Sequence, residues 1–194
     1  AIIGVGCMGQ EHIRNIDIID DAEVVALCDT SSESINQCLE LMKNEVTVFS
    51  DYSELIEANL ADAYIIATPN YTHIEVLKGV LKSDAHLLIE KPLCTNVEDC
   101  KEFASLTTNY PGVIWTAMEY RYMPPIQTFL DQSQRATGGI RMLTIREHRF
   151  PFLPKVGDWN RFNRNTGGTL VEKCCHFFDL MRFIIGSEPT GVIA

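Results

Sequence analysis

The chain begins with Ala1-Ile2-Ile3-Gly4-Val5-Gly6-Cys7-Met8-Gly9, a short apolar run that leads into a GxGxxG pattern. This order predicts a strand, a tight turn and a helix. Gly4 allows the turn, Gly6 lets the backbone approach a pyrophosphate, and Gly9 lets the helix pack on the strand. The free N–H groups at the helix start favour phosphate. The stretch predicts a dinucleotide site, with a ligand-free turn as the alternative; the loop residues predicted to contact the cofactor are Gly4, Gly6, Cys7, Met8 and Gly9.

An acidic residue stands where a ribose would lie. Asp29 follows Gly9 by twenty residues, at the end of the second predicted strand. A carboxylate at this point accepts hydrogen bonds from ribose hydroxyls. The residues after it, Thr30-Ser31-Ser32, offer no cation for a 2′-phosphate, which favours NAD over NADP. The alternative is that Asp29 begins a turn or caps the next helix.

Short apolar runs alternate with helical spacing through the first half of the chain. This alternation is typical of βαβ units on a parallel sheet that is buried on both faces, and right-handed crossovers then predict a doubly wound sheet. The predicted strands are 2–5, 23–28, 46–49, 63–67, 86–89 and 113–116. The predicted helices are 8–18, 33–42, 52–58, 71–81 and 97–107.

The pattern changes near residue 118, where we place a domain boundary. Residues 1–118 form the predicted dinucleotide-binding domain, and residues 119–194 form the start of a second domain. In the second part we predict a helix over 126–130, a strand over 140–149, a loop over 150–166 and a helix over 170–184.

Composition narrows the class of protein. The 194 residues carry a net charge of −10 and a pI near 4.9, which excludes the basic footprint of a nucleic-acid binder or an anionic-membrane binder. The longest uncharged run, 103–118, holds too many polar residues to span a membrane. Seven cysteines without a CxxC pair, and no visible signal peptide, favour free thiols in the cytoplasm. The chain starts without Met and stops in an apolar run, so we expect a fragment.

Two further segments end predicted strands at the carboxyl edge of the sheet, where ligands bind. Thr68-Pro69-Asn70 follows the fourth strand and is predicted to contact the cofactor, although Asn70 or Thr72 capping the next helix is an alternative. We expect His73 to be structural. Glu90-Lys91 ends the fifth strand, and both residues are predicted to contact the cofactor. Lys91 would also bond a substrate oxygen, with a surface lysine as the alternative.

The last cluster is Gly167-Gly168-Thr169-Leu170-Val171-Glu172-Lys173-Cys174-Cys175-His176. On one helix Glu172 and His176 share a face. A carboxylate beside an imidazole raises its basicity and orients it, as a general base requires; a capped helix with a satisfied polar pair is the alternative. Adjacent cysteines on a helix diverge by about 100°, so we expect no metal at Cys174 and Cys175.

These motifs together resemble the Gfo/Idh/MocA family (glucose–fructose oxidoreductase, inositol dehydrogenase and rhizopine catabolism proteins). The resemblance rests on GVGCMG, ATPNYTH, EKP and GGTLVEKCCHFFD, and it covers essentially the whole chain. It implies a C-terminal α/β domain with an open antiparallel sheet, of which this chain holds only a part. Lys91 then matches the catalytic lysine and His176 the proton-transferring histidine, while Glu172 stands where aspartate is usual. Substrate contacts are implied near Glu119 and in the loop that holds Trp159 and Arg161.

The resemblance implies an NAD-dependent oxidoreductase that acts on a sugar, an inositol or a related cyclic polyol and that forms homo-oligomers at full length. Two alternatives stay open from the sequence. One is an NADP-dependent member that reduces a carbonyl or an unsaturated ring compound. The other is a dinucleotide-binding sensor or regulatory protein without turnover, which would not need Lys91 and His176 at the nicotinamide.

Overall fold

A single parallel sheet organises the first part of the protein in the computed structural model, which describes residues 1–148 and 154–193. Its strands lie in the order β3-β2-β1-β4-β5-β6. This is the strand order of a dinucleotide-binding fold with a switch point between β1 and β4. The doubly wound sheet is therefore confirmed; the strands are β1 (Ile2–Ile3), β2 (Ala26–Cys28), β3 (Thr47–Phe49), β4 (Ala63–Ile66), β5 (His86–Ile89) and β6 (Ile114–Thr116).

Helices follow the strands close to the predicted positions, and three of them begin at side-chain caps. Ser31 Oγ accepts from Ser34 N–H at 3.2 Å, and Asn96 Oδ1 accepts from Asp99 N–H at 2.8 Å. Asp51 caps the third helix through Ser53 N–H at 2.7 Å. Such caps satisfy the N–H groups that a helix start leaves open. The helices are α1 (Cys7–Ile16), α2 (Ser32–Leu39), α3 (Tyr52–Ala58), α4 (His73–Val80) and α5 (Val97–Leu106).

Apolar side chains alternate between the two faces of the sheet. Ile2 and Leu27 pack with α1 and α2, whereas their neighbours Ile3 and Cys28 pack with α3, α4 and α5. Period-two alternation of this kind puts successive side chains on opposite faces. Leu27 is fully buried, and burying one such side chain contributes about 1.5–3 kcal/mol. The two layers hold the carboxyl ends of the strands at one fixed edge.

In the part of the chain after residue 118, the strand predicted over 140–149 is not found in the described residues. Residues 140–148 contain no strand, and position 149 of the prediction lies outside the described residues. No described strand follows Thr116, so this segment has no ladder to join, and Met142 is 86% exposed. The predicted antiparallel sheet is therefore not confirmed. The predicted helix over 126–130 is longer than expected, as α6 (Pro124–Thr137).

The predicted helix over 170–184 is wrong as one continuous element. It is divided into α8 (Thr169–Glu172) and α9 (Cys175–Ile185), which follow the short α7 (Asn163–Thr166). At the break Cys174 N–H reaches back to Thr169 O at 3.1 Å, and His176 N–H bonds Lys173 O at 3.3 Å. The first bond spans five residues and the second spans three, whereas a regular α-helix bond spans four. The helical repeat is therefore interrupted, and side chains of α8 and α9 do not continue along the same helix face.

In the described parts of the chain no helix combines the length and apolar character needed to cross a bilayer.

Candidate active site

The glycine loop between β1 and α1 is shaped by two contacts and one open position. Gly4 has φ +88°, and a Cβ there would lie 2.5 Å from Thr68 N. A Cβ on Gly9 would lie 2.4 Å from Gly4 O, whereas one on Gly6 would meet no atom within 4 Å. Gly4 and Gly9 are therefore required by close packing. Gly6 borders free space at the start of α1, where helix N–H groups suit a phosphate.

Asp29 lies beside this loop and is tied to it. Its Oδ2 accepts from Val5 N–H and its Oδ1 from Ser31 N–H, both at 2.8 Å. The second bond forms a turn, so that alternative from the sequence also holds, but the cap of α2 is Ser31. Each carboxylate oxygen has two lone pairs, which leaves Asp29 able to accept from ribose hydroxyls.

Asn70 follows β4 at the same edge, in the 3-10 turn Asn70–Thr72. Its side chain does not cap α4, and neither does that of Thr72, which bonds Thr68 Oγ1 at 2.9 Å and Pro69 O at 2.7 Å. The capping alternative is therefore wrong. Asn70 is 7% exposed, and its Nδ2 has no partner among the described residues. Buried amide groups are normally paired, so a donor left open here fits a bound dinucleotide.

His73 connects this turn to the segment after β5. Its Nδ1 lies 3.0 Å from Pro92 O, and its Nε2 lies 3.0 Å from Thr68 O. Burial lowers the pKa of His73, although these backbone carbonyls oppose the shift. The prediction of a structural role is confirmed.

Glu90 is held from behind by a histidine that the sequence analysis missed. His12 Nε2 lies 2.8 Å from Glu90 Oε1, and Lys91 N–H donates to Glu90 Oε2 at 3.2 Å. Burial would raise the pKa of Glu90, but His12 and the charge of Lys91 together bring it below its usual value. The pair ties α1 to the end of β5. The available signal was that His12 lies one turn beyond Gly9, on the helix face that Gly9 packs against the strand.

Lys91 joins the two parts of the site. Its Nζ donates to the backbone oxygen of Glu172 at 3.1 Å, across 81 residues of sequence. The structure thus brings the lysine after β5 to the break between α8 and α9, where Glu172 ends one helix and His176 lies in the first turn of the next.

The expected pairing of Glu172 with His176 is not formed. The carboxylate that faces the imidazole belongs to Glu119, whose Oε1 lies 3.6 Å from His176 Nε2. The helix break removes the i,i+4 relation on which the prediction depended. The Glu172 carboxyl is instead buried, which raises its pKa, and the positive charges of Lys91 and Lys155 oppose that shift.

Glu119 reaches His176 because an ion pair fixes its turn. Glu119 and Tyr120 lie in a 3-10 turn, Glu119–Tyr122, and Arg121 in that turn binds Asp179 of α9 through two contacts, Nε to Oδ2 at 2.6 Å and Nη2 to Oδ1. Two-point arginine–carboxylate pairing sets orientation as well as distance. The Tyr120 ring is stacked on the His176 ring, with centroids 4.2 Å apart and planes 7° from parallel.

The charge state of His176 follows from its surroundings. The side chain is 2% exposed, and its Nδ1 has no partner within the described residues. Burial and the positive charges of Lys91 and Lys173 lower the pKa of His176 to about 4. Burial also raises the pKa of Glu119. The imidazole is therefore neutral near pH 7 and can accept a proton.

The loop predicted to contact substrate lies over the Asn70 turn. Trp159 meets the Tyr71 ring edge-on, with centroids 6.3 Å apart, and belongs to the 3-10 turn Val156–Arg161. Arg161, at the end of that turn, is exposed, and its Nε lies 4.0 Å from Asp158 Oδ1. The contact between Trp159 and Tyr71 places this loop at the edge of the sheet that holds Asn70.

Lys173 also lies in the site, beside Tyr120, although no sequence motif predicted a role for it. It is 5% exposed, and it contacts Tyr120 Oη and Glu147 Oε1. Cys174 and Cys175 beside it are free thiols. Over residues 1–148 and 154–193, no group of three or more His, Cys, Asp or Glu side chains is arranged to hold a metal ion.

Comparison with known proteins supports a family assignment. Residues 1–117 match the GFO_IDH_MocA model, described as an oxidoreductase family with an NAD-binding Rossmann fold, and residues 133–194 match that family's C-terminal alpha/beta domain. The chain is 27% identical to Myo-inositol 2-dehydrogenase of Thermotoga maritima, over 100% of this chain and 56% of the relative. It is 26% identical to "Uncharacterized oxidoreductase YrbE" of Bacillus subtilis, over 100% of this chain and 55% of the relative.

A solved structure shares the fold. Myo-inositol dehydrogenase from Lactobacillus casei, in complex with NAD(H) and myo-inositol, aligns with a TM-score of 0.78 at 21% identity. The alignment covers 96% of this chain and 54% of that chain. The chain thus spans about half the length of the relatives it matches.

Proposed function

We propose that this chain, which belongs to the Gfo/Idh/MocA oxidoreductase family, carries the cofactor site and the proton-transfer groups of an NAD-dependent dehydrogenase. Its substrate class would be a sugar, an inositol or a related cyclic polyol. The observation that carries the proposal is the meeting of Lys91 with the segment that holds His176, at the carboxyl edge of a sheet whose glycine loop lies open. Two of the relatives named above are inositol dehydrogenases, which supports the substrate class.

The cofactor would lie along the open edge. The phosphates would lie at the start of α1, near Gly6, and a ribose would bind Asp29. Asn70 Nδ2, which has no partner among the described residues, would donate a hydrogen bond to the cofactor. Asp29 favours NAD because a 2′-phosphate beside a carboxylate is repelled. When bound, NAD supplies the nicotinamide ring that takes up a hydride from the carbon of the alcohol.

The proton would go to His176. Nε2 faces Glu119, which is half-exposed, so Nε2 is the atom that we assign to the hydroxyl proton. Removing that proton leaves the electron pair of the O–H bond on oxygen, and this pair forms the carbonyl as the hydride leaves carbon. General-base catalysis of this type contributes about 10²–10⁴-fold in rate.

Two charged groups would assist the transfer. The Lys91 ammonium donates only one of its hydrogens to Glu172 O, so its other donors are able to bond the substrate oxygen. Glu119, rather than Glu172, would stabilise the imidazolium that forms. A neutral imidazole at neutral pH suits oxidation of an alcohol, because no proton must first be lost.

The test is a screen of NAD reduction against sugars and inositols, followed through the absorbance of NADH, with NAD binding measured separately by calorimetry. We expect turnover on at least one cyclic polyol, loss of turnover in Lys91→Met, and unchanged NAD affinity in His176→Asn. NAD binding without turnover on any polyol or sugar would contradict the dehydrogenase and favour a sensor.

A further inference from the structure

A buried ammonium group lies next to the candidate base. Lys173 is 5% exposed, and its Nζ contacts Tyr120 Oη and lies 3.2 Å from Glu147 Oε1. Tyr120 Oη in turn donates to the same Glu147 oxygen at 3.2 Å. Lysine is almost never buried without partners, and here three polar groups satisfy one another. Burying the ammonium group costs desolvation free energy, and the buried group lies beside His176.

The same tyrosine ring contacts both residues. Its face covers the His176 ring at 4.2 Å, and Lys173 Nζ lies 4.5 Å from its centroid. Lys173 and His176 are also joined through the backbone bond from His176 N–H to Lys173 O. A movement of Lys173 would therefore be passed to the imidazole by the ring and by the backbone.

We propose that Lys173, anchored by Tyr120 and Glu147, is a positioning residue that fixes the His176 ring through the stacked tyrosine and keeps a positive charge close to it. The inference builds on the role that we propose for His176. It gives a role to the contacts that the buried Lys173 makes with Tyr120 and Glu147, which the dehydrogenase chemistry does not otherwise use. Lys173 touches neither substrate nor cofactor in this scheme.

The charged and titratable groups around His176 come from several elements. Lys91 and Glu90 lie after β5, Glu119 lies in the 3-10 turn, and Cys175 and Asp179 lie on α9. Burial lowers the pKa of His176 most, and the positive charges of Lys91 and Lys173 lower it further. The negative charges of Glu90 and Asp179 oppose this shift. Asp179 is already bound by Arg121, and Glu119 is the half-exposed acid. Lys173 is thus one of the two cations that oppose protonation of His176, and its contacts with Tyr120 and Glu147 hold it in place.

A proton-titration measurement tests this without turnover. Histidine side chains labelled with ¹⁵N are followed by NMR as the pH is lowered, and the His176 signal is assigned by its loss in His176→Asn. In Lys173→Met, which removes the charge and keeps an apolar stem, we expect the His176 midpoint to rise by about 1 pH unit. In Lys173→Arg the charge remains, and we expect the midpoint to stay near that of the wild type.

Two controls keep the result decisive. Lys101→Met removes an exposed lysine on α5 and should leave the midpoint unchanged. Tyr120→Phe keeps the stacked ring and removes the hydroxyl anchor, so it should raise the midpoint less than Lys173→Met; it also provides a test if Lys173→Met fails to fold, as judged by thermal unfolding.

The two proposals fail separately. A folded Lys173→Met protein whose His176 midpoint equals that of the wild type would overturn the positioning role, whatever the enzyme oxidises. A raised midpoint together with an unmoved acid limb of the pH–rate profile would support the positioning role while rejecting His176 as the base.

Discussion

In residues 1–117 the candidate site residues stand at the ends of strands, whereas beyond residue 118 they stand on short turns and at a helix break. Asp29, Asn70 and Lys91 each follow a buried strand, so the sheet alone brings them to one edge. Glu119 and His176 are brought together by the Arg121–Asp179 pair, by the stacking of Tyr120 on His176 and by the break at Cys174. The proposed cofactor site therefore rests on regular structure, while the proposed chemistry depends on irregular structure packed against it.

The greatest change should be in kcat on removal of the His176 imidazole, and it would distinguish the proposed catalytic region from the proposed cofactor-binding region. His176→Ala should lower kcat by about 10²–10⁴-fold, because the proposed general base is lost. NAD affinity should be unchanged, since the residues that we propose for the cofactor site belong to the other region. Steady-state kinetics and calorimetric NAD titration measure the two quantities. Nearly normal turnover in the variant would reject the role of His176.

The next effect concerns the pH dependence of stability. The pKa of His176 is about 4 in the folded protein against an ordinary 6.5, so the unfolded chain binds a proton first as the pH falls. The free energy of unfolding should therefore hold its full value above pH 6.5 and fall between pH 6.5 and 4, by on the order of 3 kcal/mol from this group. Urea unfolding across this range, compared with His176→Asn, gives the contribution. Parallel curves for the two proteins would mean that burial does not perturb this imidazole.

Within the first region, two glycines of one loop should respond in opposite ways. Gly4→Ala forces an alanine into a left-handed backbone and against Thr68 N, so the free energy of unfolding should fall by about 2 kcal/mol or more. Gly6→Ala has φ −71° and open space, so stability should change by less than about 0.5 kcal/mol. NAD binding should weaken in Gly6→Ala all the same, because the new methyl group occupies the space of the phosphates. Full NAD affinity in that variant would show that the cofactor lies elsewhere.

The smallest effect concerns the choice of cofactor. A carboxylate and a phosphate at about 4 Å in water repel by about 1 kcal/mol for each pair of unit charges. Asp29→Asn keeps an acceptor for Val5 N–H and removes the charge, so the preference for NAD over NADP should fall by roughly tenfold. Competition binding of the two cofactors measures the ratio. A wild-type protein that binds NADP as tightly as NAD would contradict the proposed preference at the outset.

The sheet and its carboxyl edge can be predicted from the amino-acid sequence alone. Apolar runs separated by helical spacing report local structure, because a buried parallel strand is apolar whatever its neighbours are. The tight turn at Gly4 and the close approach of Gly9 to Gly4 are likewise local, although Gly4 also packs against Thr68 of the neighbouring strand end. The strands, the helices between them and the place of Asp29, Asn70 and Lys91 therefore followed from the printed residues, apart from a few residues at element ends.

The groups that meet at His176 are selected by tertiary packing and could not be predicted from the sequence. Spacing predicted Glu172 as its partner because an unbroken helix was assumed. The break at Cys174 and an arginine that pairs across 58 residues replaced it with Glu119. The His12–Glu90 pair and the burial of Lys173 have the same origin. Side-chain partners far apart in sequence are chosen by the packing of whole elements, and periodicity along the chain carries no record of that choice.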